Sequence, residues 1–197
     1  IKPSELYMGG LQRKSFLSAI SAIENHCEII CLESVTDYRL RELEKSGIYF
    51  SPIDSEKISS FKKLFLQLSK GANSGQSTID ILGRKIAFEV SSNDIIHFSA
   101  DVIFNSPRSS SDYIELSREF HTIFISNLNV IEEEDSARRF IAFIDECYDR
   151  NVKVIFLSNP LPHEIYTGKR LADKFQRTLS RLTEMQSNDY LQGRHKG

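Results

Sequence analysis

The sequence predicts an α/β fold containing a parallel β–α–β unit, and three consecutive stretches carry that prediction. "HTIFISN" at 121–127 and "VKVIFLSN" at 152–159 are short and mostly apolar, as strands covered on both faces are. Between them, "ARRFIAFIDECYDR" places Phe140, Phe143, Ile144, Cys147 and Tyr148 at i, i+3, i+4, i+7 and i+8, the stripe of an amphipathic helix over 135–150. Strand, helix and strand in that order suggest a parallel βαβ unit. The same stripe decides the role of Asp145 and Glu146. A metal-binding strand would be continuously apolar and would end at Asp145, whereas the apolar positions run on to Tyr148. These two residues and Asp149 therefore belong to a solvated or salt-bridged helix flank.

The remaining elements follow along the chain. "PSELY" opens a short turn, and "GLQRKSFLSAISAIENH" carries Leu11, Phe16, Leu17, Ile20 and Ile23 at helical spacing. "CEIICLES" reads as a buried strand, with Cys27 and Cys31 as small apolar residues in it. "TDYRLRELEKSG" is a polar segment that Gly47 stops, and "DSEKISSFKKLFLQLSKG" is a helix with Ser55 at its start and Gly71 at its end. "ANSGQS" reads as a flexible loop, and "TIDILGRKIAFEV" alternates about Gly83 as a β-hairpin does. "DIIHFSADVIF" is apolar and fits strand or helix equally. "SPRSSSDYIELSREF" is a serine-rich loop leading into a helix capped by Asp112 or a neighbouring serine. "GKRLADKFQRTLSRLTEMQSNDYL" forms one long last helix, and "QGRHKG" is expected to fray.

Bulk composition excludes several classes. The 197 residues are 40% hydrophobic and 26% charged, which supports a packed core. A net charge of −2 supplies no field toward nucleic acid or anionic lipid. Three cysteines make no disulfide framework and suggest a reducing compartment. No apolar run reaches the roughly 18 residues of a membrane span, and no stretch reads as a signal peptide. The chain opens on Ile1 rather than Met, so a piece of a longer protein is expected.

No motif for nucleotide binding is complete. "GANSGQST" at 71–78 comes nearest to G-x-x-x-x-G-K-[ST], but it is one residue short between glycines and carries Gln76 where lysine must neutralise phosphate. It also lies between a helix and a hairpin, the reverse of the required strand–loop–helix context. No G-x-S-x-G or H-E-x-x-H occurs, and His26, His97, His121, His163 and His195 are isolated in sequence. What recurs is arginine: Arg13 after a glycine pair, Arg39 and Arg41 in "DYRLR", Arg138 and Arg139 in "ARRF", and Arg177 and Arg181 four apart on one helix face. Arginine suits bidentate contact with phosphate or carboxylate. Taken one at a time, each is better explained by a surface ion pair contributing about 0–1 kcal/mol.

As an ordered set the motifs resemble one family. "P-x-E-L-Y-x-x-G-L-Q-R-x-x-F-L", "T-D-Y-R-L-R-x-L", "G-R-K-I", "S-x-x-D-Y-I-E-L-x-R-x-F-H-T", "A-R-R-F-I-x-x-I-D-E-x-Y-D-R-x-V-K" and "F-Q-R-T-L-S-R-L-x-E-M-Q-S-x-x-Y-L" span Pro3 to Leu191. They are similar to the C-terminal half of the ZapE-like cell-division ATPases and their mitochondrial relatives, P-loop ATPases of the AAA+ type. Two departures, "FSADVIFN" where the family often has a Leu-Cys pair and Cys147 where leucine is common, touch no charged motif residue.

The resemblance implies the C-terminal part of a P-loop NTPase core over 1–35, a helical lid-like segment over 36–75 and a family-specific α/β region over 76–197. It implies that the phosphate loop, the acidic Mg²⁺ strand and the sensor strand precede Ile1. ATP and Mg²⁺ would then serve the intact protein, and this piece alone would bind neither tightly nor hydrolyse ATP. Arg13 stands where the family would place the arginine finger that a subunit lends to its neighbour, and Arg39 is the candidate phosphate sensor. Further implications are a homo-oligomer, a cell-division ring protein as partner, a cytoplasmic location and no nucleic-acid partner. A nucleotide-independent protein-interaction module built on 121–159 is the alternative, and a helicase-loader-like ATPase has the weaker case because the net charge is slightly negative.

Overall fold

In a computed structural model of the chain, residues 13–27, 38–69 and 73–197 are described. The chain divides into two units, Ile1–Asp37 and Tyr38–Gly197. In the first, the expected helix is α1, Arg13–His26. Cys27 follows α1 directly, its amide bonded to the Ile23 carbonyl at 2.9 Å, and it is exposed rather than buried in a strand. The rest of the expected strand, Cys31 included, lies outside the described residues, as do the "PSELY" turn and Gly71.

The second unit opens with α2, Tyr38–Ser46, so the polar segment is helical. Gly47 ends it at φ +71°, donating to the Leu43 carbonyl at 2.9 Å. A two-residue strand β1, Tyr49–Phe50, leads to α3, Ser55–Ser69. The cap of α3 is Asp54, whose Oδ1 accepts the Lys57 amide at 2.7 Å, one residue before the expected start. The hairpin is β2, Asn73–Ile81, and β3, Arg84–Ser92. Leu82 and Gly83 both have positive φ, which suits the right-handed twist of the flanking strands.

The expected loop "ANSGQS" is β2 from Asn73 onward. Pairing with β3 overrides its polar, small-residue composition, with a register shift between Ser74 and Ser77. "DIIHFSADVIF" proves to be both alternatives in series: strand β4, Ile95–Ser99, and a π-helical turn, Asp101–Asn105.

Next come α4, Ser110–Glu119, and β5, Thr122–Leu128. The Asp112 carboxylate accepts the Ser109 amide at 2.7 Å, the reciprocal arm of a capping box. Helix α5, Glu134–Asp149, then leads to β6, Lys153–Ser158. Both strands of this unit are parallel neighbours, as the apolar pattern predicts. The expected single last helix is instead two, α6, Ala172–Glu184, and α7, Asn188–Gln192. Ser187 restarts the helix by accepting the Tyr190 amide, and the turn buries Met185, Tyr190 and Leu191.

The sheet runs β1-β6-β5-β4-β3-β2. Four strands are parallel, and the β2–β3 hairpin forms an antiparallel arm. Phe61 and Phe65 of α3 each stand 5.1 Å from the Phe124 ring on one face. On the other face Phe140 of α5 packs against Phe104 and Phe156, and α6 lies over α5 through Phe140 and Phe175. The sheet is thus covered by helices on both faces.

The tail does not fray. The His195 Nε2 donates to the Ser117 carbonyl at 2.7 Å, and the Lys196 amide donates to the Arg150 carbonyl at 2.9 Å.

Candidate functional site

The two arginines singled out by sequence both begin helices, where a cation opposes the helix dipole. Arg13 is the first residue of α1, followed by Lys14, with no acidic residue in that first turn. Helix stability therefore does not account for these charges. Arg13 is half-buried, and α1 leaves Leu17 48% exposed while Ile20 is 5% exposed.

Arg39, in the first turn of α2, forms a forked pair with Asp94, Nη1 to Oδ2 at 2.7 Å and Nη2 to Oδ1 at 3.0 Å. Burial alone would raise the Asp94 carboxyl, but the hydrogen bond and charge of Arg39 outweigh it and hold the group below its ordinary value.

Asp94 stands just before β4, His121 just before β5 and Lys153 at the start of β6, and the register Ile95↔Thr122↔Lys153 brings them side by side. The His121 ring is pushed down to about 4 by burial first and by Lys153 next, and its Nδ1 lies 2.7 Å from Thr122 Oγ1. Lys153 is 1% exposed and has no carboxylate partner among the described residues. Its ammonium donates to the carbonyls of Asn151 at 3.1 Å, Tyr190 at 3.0 Å and Gly193 at 2.8 Å. Burial lowers it to about 8. This polar girdle at the N-terminal ends of the strands ties α7 and the tail to the sheet. The sequence shows nothing of it, because the acceptors are backbone carbonyls.

At the opposite end, a cavity of about 390 Å³ opens beyond the C-terminal ends of β4 and β5. Open α/β sheets place ligands at that end. Its walls are the π-helical turn, the loop 127–133 and the first turn of α5. Asn159 Nδ2 donates to Asn129 Oδ1 at 2.6 Å, and the Ile131 amide donates to the Ile165 carbonyl at 2.7 Å, so the loop is held at both of these points. Among the described residues no group of three His, Cys, Asp or Glu is arranged to hold a metal ion, and no helix is long and apolar enough to cross a membrane.

The family profile described as AFG1-like ATPase matches residues 1–194. This chain belongs to that family. It is 42% identical over 197 residues to "Cell division protein ZapE" of Escherichia coli K12, covering 99% of this chain and 52% of that protein. It is 32% identical over 168 residues to an uncharacterized protein of Schizosaccharomyces pombe, covering 83% and 37% of the two chains. Identity to "Lactation elevated protein 1 homolog B" of Danio rerio is 28% over 225 residues, covering 95% and 45%. The chain thus spans about half the length of the curated relatives it matches. No solved structure matches it.

Several of the arginines in this AFG1-like chain have evident structural work. Arg139 donates to the Phe104 carbonyl at 2.7 Å and so holds the π-helical turn against α5. Arg177 and Arg181 of α6 both reach Asp145 of α5, Arg177 at 3.2 Å, and Glu146 pairs with Arg150 at 2.6 Å. The acidic pair is a salt-bridged helix flank, as its spacing predicts. Arg84 of the "GRKI" motif faces the fully buried Asp112 at 3.1 Å.

Proposed function

We propose that this chain works as the C-terminal part of an ATPase that couples ATP hydrolysis to the remodelling of a protein partner in cell division. The observation that carries the reading is the family match over residues 1–194, together with 42% identity to a relative named for cell division. The sequence contains no G-x-x-x-x-G-K-[ST], so these residues do not fit Mg·ATP by themselves, and the cradle must come from residues outside them. Residues 1–35 would complete the nucleotide-binding core, 36–75 would serve as a helical lid-like segment, and 76–197 would form the family's own α/β region. Arg13 would reach a neighbouring subunit's γ-phosphate, which requires a homo-oligomer. Arg39 would sense phosphate by exchanging Asp94 for it. The cytoplasm and a cell-division ring protein are the matching location and partner.

The test is ATP turnover by the full-length protein carrying Arg13→Ala, with nucleotide binding measured separately. A trans finger predicts turnover lowered by roughly 10³–10⁵-fold with binding retained. Unchanged turnover would remove the finger role. A full-length protein with no ATP turnover at all would favour the interaction-module reading.

A further inference from the structure

The segment that follows β6 is written twice in the chain. Residues 162–182 read "PHEIYTGKRLADKFQRTLSRL", and residues 3–23 read "PSELYMGGLQRKSFLSAISAI". At a constant offset of 159 positions, with no gap, six of the 21 residues are identical. They are Pro3/Pro162, Glu5/Glu164, Tyr7/Tyr166, Gly9/Gly168, Phe16/Phe175 and Ser21/Ser180. At three more positions leucine and isoleucine exchange, Leu6/Ile165, Ile20/Leu179 and Ile23/Leu182. The helices keep the same offset: α1 begins at Arg13 and α6 at Ala172.

In the second copy the shared residues have tasks that depend on one another. Glu164 accepts the Leu161 amide at 2.8 Å and closes the turn that leaves β6. Ile165 is fully buried, and the buried Tyr166 ring stands 5.6 Å from Phe175. A Cβ at Gly168 would overlap the Tyr166 hydroxyl, so the ring lies where only glycine admits it. Phe175 and Leu182 are both 3% exposed, Leu179 is half-buried between them, and Phe175 meets Phe140 of α5. Tyrosine, glycine and phenylalanine at these spacings interlock, so their joint recurrence marks a repeated module rather than a chance match.

The two copies differ in what covers the helix. Against α6 lies α5, the helix of the β5–α5–β6 unit that precedes the motif. On α1 the matching residues are far more exposed, Phe16 at 39% and Ile23 at 38%, with Leu17 beside them at 48%. Among the described residues α1 is the one element of its unit. Three large apolar side chains on one helix form a patch of the kind that marks a contact surface. The curated relative from Escherichia coli is about twice as long as this chain, which leaves room for a strand–helix–strand counterpart in such a protein.

We propose that the apolar face of α1 is the docking surface for a helix of the same polypeptide, the counterpart of α5 in a first copy of the module. Set 159 positions earlier than α5, that helix falls roughly 10–25 residues before Ile1. The inference rests on the repeat and not on nucleotide binding.

The test uses full-length protein with a photoreactive benzophenone side chain in place of Phe16, and mass spectrometry of the cross-linked peptides. Cross-links within one chain to residues about 10–25 positions before Ile1 are expected. The same group at Ser18, on the opposite side of α1, should not reach them. Mixing isotopically light and heavy chains separates contacts within a chain from contacts between copies. Independently, Phe16→Ala/Ile23→Ala should lower the unfolding temperature by about 5 °C or more at every protein concentration. Cross-links between chains would overturn the occupant in favour of a second copy. Cross-links confined to residues 28–197, no cross-link, equal reach from Ser18, or an unchanged unfolding temperature would overturn the docking surface itself.

Discussion

Replacing Lys153 with methionine tests how the sheet holds the end of the chain. The ammonium sits at 1% exposure among three carbonyls, with the Tyr190 ring 5.0 Å from it and no counter-charge among the described residues. Burial lowers it from 10.5 to about 8. At 1.36 kcal/mol per unit, keeping the charge in the fold costs about 3 kcal/mol at neutral pH. The folded value lies below the unfolded one, so the unfolded chain binds the proton more tightly. Stability therefore rises as pH climbs from about 8 toward 10.5.

Methionine removes that cost but strands three carbonyls at about 1 kcal/mol each. Near pH 7 the two effects nearly cancel, and Lys153→Met should lie within about 1 kcal/mol of wild type. By pH 9.5 the wild type should lead by about 2 kcal/mol, because the desolvated charge is gone while the neutral amine still donates to two of the three carbonyls. Urea unfolding of both proteins at pH 7, 8 and 9.5 measures this. Other titrating groups, such as the buried Cys147 thiol, are common to both proteins and drop out of the difference. A difference that stays constant across that range would refute the reasoning.

Two further changes probe the same unit. Asp94→Asn should cost about 0.5–1 kcal/mol at pH 7, since the Arg39 pair is partly exposed. Asp94 titrates below its ordinary value when folded, so the pair's contribution is present above about pH 4 and is lost as pH falls. The gap between the acid-unfolding curves of variant and wild type should narrow as the pH falls below 4, and a gap that stays constant through the acid range would assign the effect to packing. Gly193→Ala would bring a Cβ within 2.5 Å of Asn151 Nδ2. It should cost about 1–3 kcal/mol by forcing Asn151 aside, with faster amide exchange over 188–196 as the reporter.

The β–α–β unit was legible because two periodicities met within one short stretch: the continuous apolar run of β6 and the i, i+3, i+4 stripe of α5. Composition misled where pairing decided. The small polar residues 73–76 form a strand because β3 supplies partners, and the last helix breaks where Ser187 offers a better cap than continuation. The tail was unreadable because backbone carbonyls of Ser117 and Arg150 hold it. The arginines were visible as a set, but their partners were not. Asp94 lies 55 positions from Arg39, and no local pattern announces the fork. The cavity belongs to no motif at all, since its walls come from the β4–α4 and β5–α5 connections, which only the sheet brings together.

The pairing of Tyr49 with Phe156 has a consequence for synthesis. The first strand of the sheet is made roughly a hundred positions before the strand that covers it, and at about 5–20 residues per second the ribosome leaves that edge open for several seconds. Two residues are too few to template a foreign strand. The nascent chain can wait for its own last strand without recruiting a neighbour's.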